Sequence, residues 1–403
     1  MTKFMSRRLA SGSSPLLLAA AAMLASGDAA AQCPVTEFAS SLQLPLGITQ
    51  SNQDNLVVGE TGTTAPNTGR ISIVERDGSR RTLVDGLPSG INDVLEPSGP
   101  GGVFLRGRTL YVAIGVGDVG IAGPVPRSVL PNPNGPSSPI FSSVLAVHFS
   151  AHAEKITEGF TLSPADHQAL ADGERVKLSN GAGDKATVEL IANFPDFIAN
   201  PIAPVPANVR LSNPFDLVAV GNQLFVTDGG RNLVWRVDVH SGAFSELATF
   251  PTITNPLFPI GPPVTEAVPT GIRYSDGQLL VTLFRGAPFP PGTSQVQAID
   301  PDTGGQTPFI TGLKTAIDVL PIRDGDDTDW LVLQHASVGP FFGSAGSLLR
   351  FETPDGAPTV IAGGPATAPF CLTRPTSMTF DEKTGTLYVT ELGGRILAIP
   401  VAP

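Results

Sequence analysis

Six copies of one short apolar strand, a composition rich in glycine and proline, and a lone strand at the start of the mature chain facing a three-stranded repeat at its end predict an all-β fold. The fold expected is a six-bladed β-propeller whose N-terminal strand completes the last blade. The chain has 403 residues, of which 44 are Gly and 39 Pro, roughly a fifth of the total against a usual ~12%. Such a composition suits either disorder or many short strands joined by turns. With 41% hydrophobic and 15% charged residues there is ample apolar surface to bury, which excludes disorder.

The repeat is carried by a marker strand of two or three apolar residues running into a polar or glycine exit. It occurs at Asn55–Glu60, Thr109–Ile114, Gln223–Asp228, Gln278–Leu283, Asp329–His335 and Thr386–Glu391. Equivalent apolar positions fall at 56, 110, 224, 279, 332 and 387, giving intervals of 54, 114, 55, 53 and 55. A Pro/Gly-rich approach and a short apolar strand precede each marker, as in Pro45-Leu46-Gly47-Ile48 and Pro269-Thr270-Gly271-Ile272. A third and a fourth strand follow, for example Leu233–Asp238 and Phe244–Phe250. Four short antiparallel strands per repeat is the propeller signature.

The long interval holds either a seventh blade or an insertion. Residues 124–143 read as loop, Ser163-Pro164-Ala165-Asp166 as the capped start of a short helix stopping near Gly173, and Asn180-Gly181 as a hairpin turn. No marker strand lies there, so residues 150–192 are expected to decorate blade 2, within a single domain spanning 32–403. The last repeat has three strands, ending at Arg395–Ile399, while Val35–Leu42 reads as a fourth strand with no blade before it. Pairing them closes the ring and removes a sheet edge open to aggregation.

Residues 1–31 read as a secretory signal. Lys3, Arg7 and Arg8 form a positive start, Leu16–Ala25 an apolar stretch too short to span a bilayer, and Ala29-Ala30-Ala31 a cleavage site. Ser6-Arg7-Arg8-Leu9 resembles a twin-arginine signal only in its arginine pair, and Gln32 before Cys33 spoils a lipoprotein site. The expectation is a secreted or periplasmic monomer without a membrane anchor. An oxidising compartment favours pairing Cys33 with Cys371; the alternative is two separately buried thiols. Pairing faces a difficulty, since closure puts the two cysteines at opposite faces unless the loop 363–374 folds over the rim. The net charge of −11 and the absence of a basic cluster exclude nucleic acid as the partner class.

Ser212-Asn213-Pro214-Phe215-Asp216, Val226–Asn232 and Pro288–Gly292 resemble the ScyD/ScyE-like family of secreted bacterial β-propellers, named from gene clusters for a cyanobacterial sunscreen pigment. The resemblance covers nearly the whole mature chain and is most specific over 212–301. It implies an extracytoplasmic propeller and leaves catalysis and substrate open. Val226–Val237 also resembles an NHL-type repeat.

Aligning the repeats places two columns of residues at one mouth of the channel. The inner-strand column is Gly47, Gly102, Asp216, Gly271, Asp318 and Ser377; the second-strand column is Glu60, Ile114, Asp228, Leu283, His335 and Glu391. Five carboxylates and a histidine are thereby expected to converge, with Arg285 behind them. Oxygen ligands so gathered suit Ca²⁺, with Glu60, Asp228 and Glu391 as ligands. Glu60, His335 and Glu391 are the catalytic candidates for water activation or lactone opening, and Asp216, Asp228, Arg285 and Asp318 the binding candidates. The competing reading is that the acids tie down turns.

Other motifs fail. Gly115–Gly120 matches a dinucleotide fingerprint, but the prolines after it bar the helix that would receive a pyrophosphate. Asp324–Asp329 lacks EF-hand spacing and reads as a hairpin turn. His148 and His152 would share a helix face, but their segment reads as strand; His167 and His240 read as surface residues. No Gly-x-Ser-x-Gly or His-Glu-x-x-His motif occurs in the mature chain. Two function classes remain: a binding or scaffold propeller holding a small molecule or partner on its channel face, and a Ca²⁺-dependent hydrolase or lactonase at that mouth.

Overall fold

A computed structural model describes residues 33–325, 327–364 and 371–401. The expected signal and its cleavage site lie outside the described residues, as does Asp326 of the acidic turn. Six sheets form the blades of a β-propeller, antiparallel except where Phe160–Thr161 pairs in parallel with the outer strand of blade 1. From the channel outward, blade 1 is Pro45–Gln50, Leu56–Glu60, Gly69–Val74 and Arg80–Leu87. Blade 3 (Pro214–Val220, Gln223–Asp228, Leu233–Asp238, Phe244–Thr249) and blade 4 (Pro269–Ser275, Gln278–Leu283, Ser294–Ile299, Gln306–Leu313) repeat the plan. So does blade 5: Ala316–Asp324, Asp327–Gln334, Ser347–Phe351 and Thr359–Gly363.

Inner strands begin with Pro in every blade except the fifth, which starts at Ala316. Proline lacks an N–H, and the first residue of a strand that is an edge can do without one. Each inner strand also carries a bulge just after its start. There the blades meet most tightly: a Cβ on Gly47 would come within 2.5 Å of the Gly101 carbonyl oxygen, so only glycine fits.

The marker strands are apolar on both sides because each blade is sandwiched between two others. Leu56 and Val58 face blade 6, whereas Val57 faces blade 2. Phe225 packs towards blade 4, its neighbours Leu224 and Val226 towards blade 2. The apolar core is thus a ring of clusters between blades, and side-chain alternation along each strand serves both.

Blade 2 accounts for the long interval. Its strands are Pro100–Arg106, Thr109–Ile114, Ser143–Phe149 and Lys185–Asn193, with Val176–Ser179 added outside. The stretch expected to be pure decoration therefore contains the blade's own fourth strand, recognisable in the half-buried alternation Ala186, Val188, Leu190. The insertion proper runs from 150 to 184. Its helix, Pro164–Ala171, carries the expected capping box between Ser163 and Asp166. A second excursion, 115–142, forms a ribbon of Gly120–Ala122 against Val129–Pro131, so no helix follows the Gly115–Gly120 motif. His167 is not a surface residue. It is fully buried, bonding the Ser138 hydroxyl (3.1 Å) and the Gly86 carbonyl (2.8 Å), and pins the helix to blade 1. His240 is exposed, as expected. His148 lies in a strand beside Thr109.

Closure is as expected. Blade 6 consists of Pro375–Asp381, Thr386–Glu391, Arg395–Pro400 and, outermost, Thr36–Ala39, with Thr36 opposite Ala398. Cys33 and Cys371 form a disulfide with Cα atoms 5.7 Å apart. The segment before the outer strand turns into the interface of blades 5 and 6, where Val35 packs in the same cluster as Leu372. That path brings together cysteines which strand direction alone places at opposite faces.

Deleting residues 33–40 should bare the edge of Arg395–Pro400 and produce aggregation or a large fall in the urea midpoint, read by light scattering and denaturation. A soluble deletion of undiminished stability would overturn closure as a stabilising feature.

Candidate functional site

The acids of the second-strand column are buried and engaged inside their own blades. Glu60 has no exposed surface; Oε2 accepts from the Gln43 N–H (2.5 Å), Oε1 accepts from the Ser72 hydroxyl, and Arg70 and Arg80 pair with it at 3.2 Å. Asp228 accepts from the Asn213 N–H (2.7 Å), the Arg231 N–H (3.0 Å), the Trp235 indole (3.0 Å) and the Ser212 hydroxyl. Glu391 accepts from the Thr373 N–H (2.5 Å) and from Arg395. The pattern is shared: each acid clasps an N–H just before its inner strand and a donor on or near the third strand. In blade 5 the same place is filled by Gln334, which accepts from the Lys314 N–H (2.7 Å) and donates to the Ser347 hydroxyl (2.7 Å).

This corrects the alignment. Glu60, Glu391 and Gln334 lie opposite Pro45, Pro375 and Ala316, so the blade 5 member of the column is Gln334 and His335 lies one residue further on. One residue in a strand reverses the face. Glu60, Asp228 and Glu391 are therefore not gathered at one centre, and among the described residues no three His, Cys, Asp or Glu side chains are placed to share a metal ion.

Two acids of the inner-strand column do come together. Arg273 lies between them, 2.9 Å from Asp216 and 2.7 Å from Asp318, and also donates to the Met378 carbonyl (3.2 Å). Asp216 accepts from the Ile272 N–H, and Asp318 from the Met378 N–H and the Ser377 hydroxyl, so each carboxylate is bonded to the next blade. Gly102 and Gly271 pack directly against Asp216 and Asp318. Burial pushes the Asp318 carboxyl up to about 6 and Asp216 adds to this, while Arg273 holds it down. The knot links blades 3 to 6 at the axis. Sequence reasoning missed Arg273; the available signal was a lone cation in an inner strand, two residues after a column position. Arg285 points elsewhere: it is buried, its Nε donates to the Thr293 carbonyl, and burial lowers its pKa.

Above the knot, at the expected mouth, lies a pocket of about 360 Å³. Its floor and walls are Leu44, Leu46, Pro214, Phe215, Ile317 and Leu392, and its polar groups include Asn92, Glu96, Asn213, His335 and Arg374. Of the candidate residues expected from the sequence, His335 alone reaches it. The imidazole is only 6% exposed, and its Nδ1–H donates to the Pro375 carbonyl at 2.9 Å, which leaves Nε2 as an acceptor with no partner among the described residues. Phe284 and Phe342 flank the ring, with centroids 5.7 and 5.0 Å away. Burial depresses its pKa to about 4, and Arg374 and Lys314 push in the same direction.

Lys314 explains how Phe342 is held. The ammonium is buried and donates to the Val338 and Phe341 carbonyls, both at 2.8 Å, anchoring the loop that carries Phe342. Burial lowers its pKa to about 8. Arg374 then lies over the outer face of Phe342, 5.7 Å from the ring centroid.

No family profile and no curated protein matches the chain. In structure it is similar to a gluconolactonase from Xanthomonas campestris, at 12% identity over 91% of this chain and 89% of that one, with a TM-score of 0.48. It is also similar to the PQQ-bound form of an aldose sugar dehydrogenase from Streptomyces coelicolor, at 14% identity over 91% and 97%, with a TM-score of 0.47. These likenesses are ones of fold.

Replacing Glu60 or Glu391 by Ala strands buried donors, and each variant should lose about 3 kcal/mol or more of stability in urea denaturation. Unchanged stability would return these acids to the list of ligand-binding groups. His335 gives a pH dependence with a definite sign. Its folded pKa, about 4, lies below the unfolded value of about 6.5, so its contribution is present above 6.5 and lost as pH falls through 4. The loss should approach roughly 3 kcal/mol, and the stability difference between the protein and His335→Phe, followed over that range, isolates it.

Proposed function

We propose that the chain is an exported, non-catalytic binding propeller of the ScyD/ScyE-like kind that holds a small molecule in the mouth pocket. The observation that carries the reading is the state of His335. A general base must accept a proton, and an imidazolium here would be desolvated and would face Arg374 and Lys314. A neutral Nε2 with a fixed tautomer is instead suited to accept a hydrogen bond from a ligand hydroxyl or N–H. The pocket around it is mainly apolar with few polar groups, as small-molecule sites are. Export is supported by the disulfide, which persists in oxidising compartments, and by the character of the first 31 residues. The hydrolase reading has less support, because the carboxylates it relied on are satisfied within their blades.

The probe is 2-phenylethanol, an apolar ring with one hydroxyl and no charge. Calorimetric titration of the disulfide-bonded protein should show saturable one-to-one binding, and His335→Phe should weaken it roughly five- to ten-fold. No saturable binding, or binding indifferent to His335 in a folded variant, would sink the proposal.

A further inference from the structure

The mouth pocket has two charged lining residues, and they have opposite signs. Glu96 stands on the loop entering blade 2 and Arg374 on the loop entering blade 6. Blade 1 lies between those blades, contributing Leu44, Leu46 and Thr61 to the wall that separates them. Neither side chain has an ion-pair partner among the described residues, and the two are too far apart to pair with each other. Most arginines elsewhere in this acidic protein do have carboxylate partners, among them Arg70, Arg80, Arg210, Arg273 and Arg395.

Arg374 is held by its stacking, and the backbone of Glu96 is held by a turn. Arg374 has a positive φ of 49° and stacks over Phe342, which in turn stacks on Phe289 with centroids 4.3 Å apart. Glu96 closes a turn in which its N–H and that of Val94 both donate to the Asn92 side-chain oxygen, each at 3.0 Å. That bond also fixes the orientation of Asn92, so its NH₂ group is turned away as a free donor. Asn213 is fixed in the same manner, its oxygen accepting from the Val116 N–H (3.1 Å). Apolar side chains and the uncharged acceptor His335 line the rest of the pocket.

Building on the small-molecule reading above, we infer that the ligand is a zwitterion with an apolar body. Its carboxylate meets Arg374, its ammonium group meets Glu96, and its hydrocarbon or aromatic part lies against Phe215 and Phe342. A neutral ligand would leave both charges to water, and a ligand of one sign would answer one while facing repulsion from the other. The pairing acts at the exposed rim, so each contact is worth only a modest factor in affinity, and selectivity comes from having both.

Three probes share one skeleton: L-phenylalanine, phenethylamine, which lacks the carboxylate, and 3-phenylpropanoate, which lacks the amine. In calorimetric titrations L-phenylalanine should bind on the order of five-fold more tightly than either, a factor equivalent to one rim ion pair. Arg374→Gln should weaken L-phenylalanine and 3-phenylpropanoate by a similar factor and leave phenethylamine no weaker, whereas Arg374→Lys should restore binding. Glu96→Gln should weaken L-phenylalanine and phenethylamine and spare 3-phenylpropanoate. Equal affinities for the three probes, or variants that do not sort them by charge, would overturn the inference. If 2-phenylethanol still binds through His335, only the charge assignment falls; if none of the four probes binds, the pocket reading falls with it.

Discussion

A carboxylate withdrawn from water at the end of a blade must find donors, and the supply of donors there is limited to the backbone N–H groups of the incoming loop and whatever the third strand offers. Glu60, Asp228 and Glu391 each use both sources. One side chain thereby ties the loop from the preceding blade, the second strand and the third strand into a single knot. Every mouth loop that starts from such a knot leaves the blade at a fixed place and angle, and the walls of the pocket are built on those starting points. Gln334 performs the task without a charge, which shows that hydrogen-bonding geometry is what the position requires. Blade 4 has Leu283 there and recruits a hydroxyl instead: Ser294 donates to the Leu283 carbonyl and accepts from the Ala316 N–H.

The second constraint is the ring itself. Because apolar clusters lie between blades rather than at a common centre, no blade is stable without both neighbours, and the first and last must be joined. The N-terminal strand does this by entering the blade built from the C-terminus, and the disulfide holds the segment just before that strand. At the axis the same problem is solved electrostatically. Asp216 and Asp318 each bond the backbone of the next blade and share Arg273, so a single cation is bracketed by two carboxylates. This knot lies beneath the pocket and gives it a floor of inner-strand residues, so a ligand approaches from the mouth.

The fold was legible because its cause is periodic. A strand buried on both faces, bounded by turn residues and repeated every 55 residues or so, admits few other architectures, and the lone N-terminal strand and the three-stranded last repeat identified each other as partners. The site was legible only in location. The two columns did mark the mouth, but an acid and a clasped acid look the same in sequence, since the donors of Glu60 are Gln43, Ser72 and two arginines scattered over the next 20 residues. The blade 5 register slipped by one because Asp329–His335 offers two polar exit residues, and the second was taken. The residue one further on, His335, is the one that lines the pocket. Glu96, Asn92 and Arg374 left no mark at all, since they lie on loops that have no counterpart in the repeat. The fourth strand of blade 2 was hidden by the insertion before it, which separates Lys185–Asn193 from its partner by more than thirty residues.

The proposal that this mouth binds a ligand without transforming it rests on how the imidazole in its wall is surrounded. Catalytic histidines owe their basicity to a group that stabilises the imidazolium, most often a carboxylate on the second nitrogen. Here that nitrogen is given to a backbone carbonyl, which orients the ring but offers much less to a positive charge. Phenylalanines exclude water on two sides, and the nearest charges, Arg374 and Lys314, are positive. Each of these features makes proton transfer to Nε2 harder while leaving its lone pair available. An acceptor that cannot easily become a donor discriminates among ligands by their hydrogen-bond pattern, and it keeps doing so across the neutral pH range. The aromatic packing that depresses the pKa also holds Phe342 and Arg374 in place, so the shape of the pocket wall and the low basicity of its histidine arise from one arrangement.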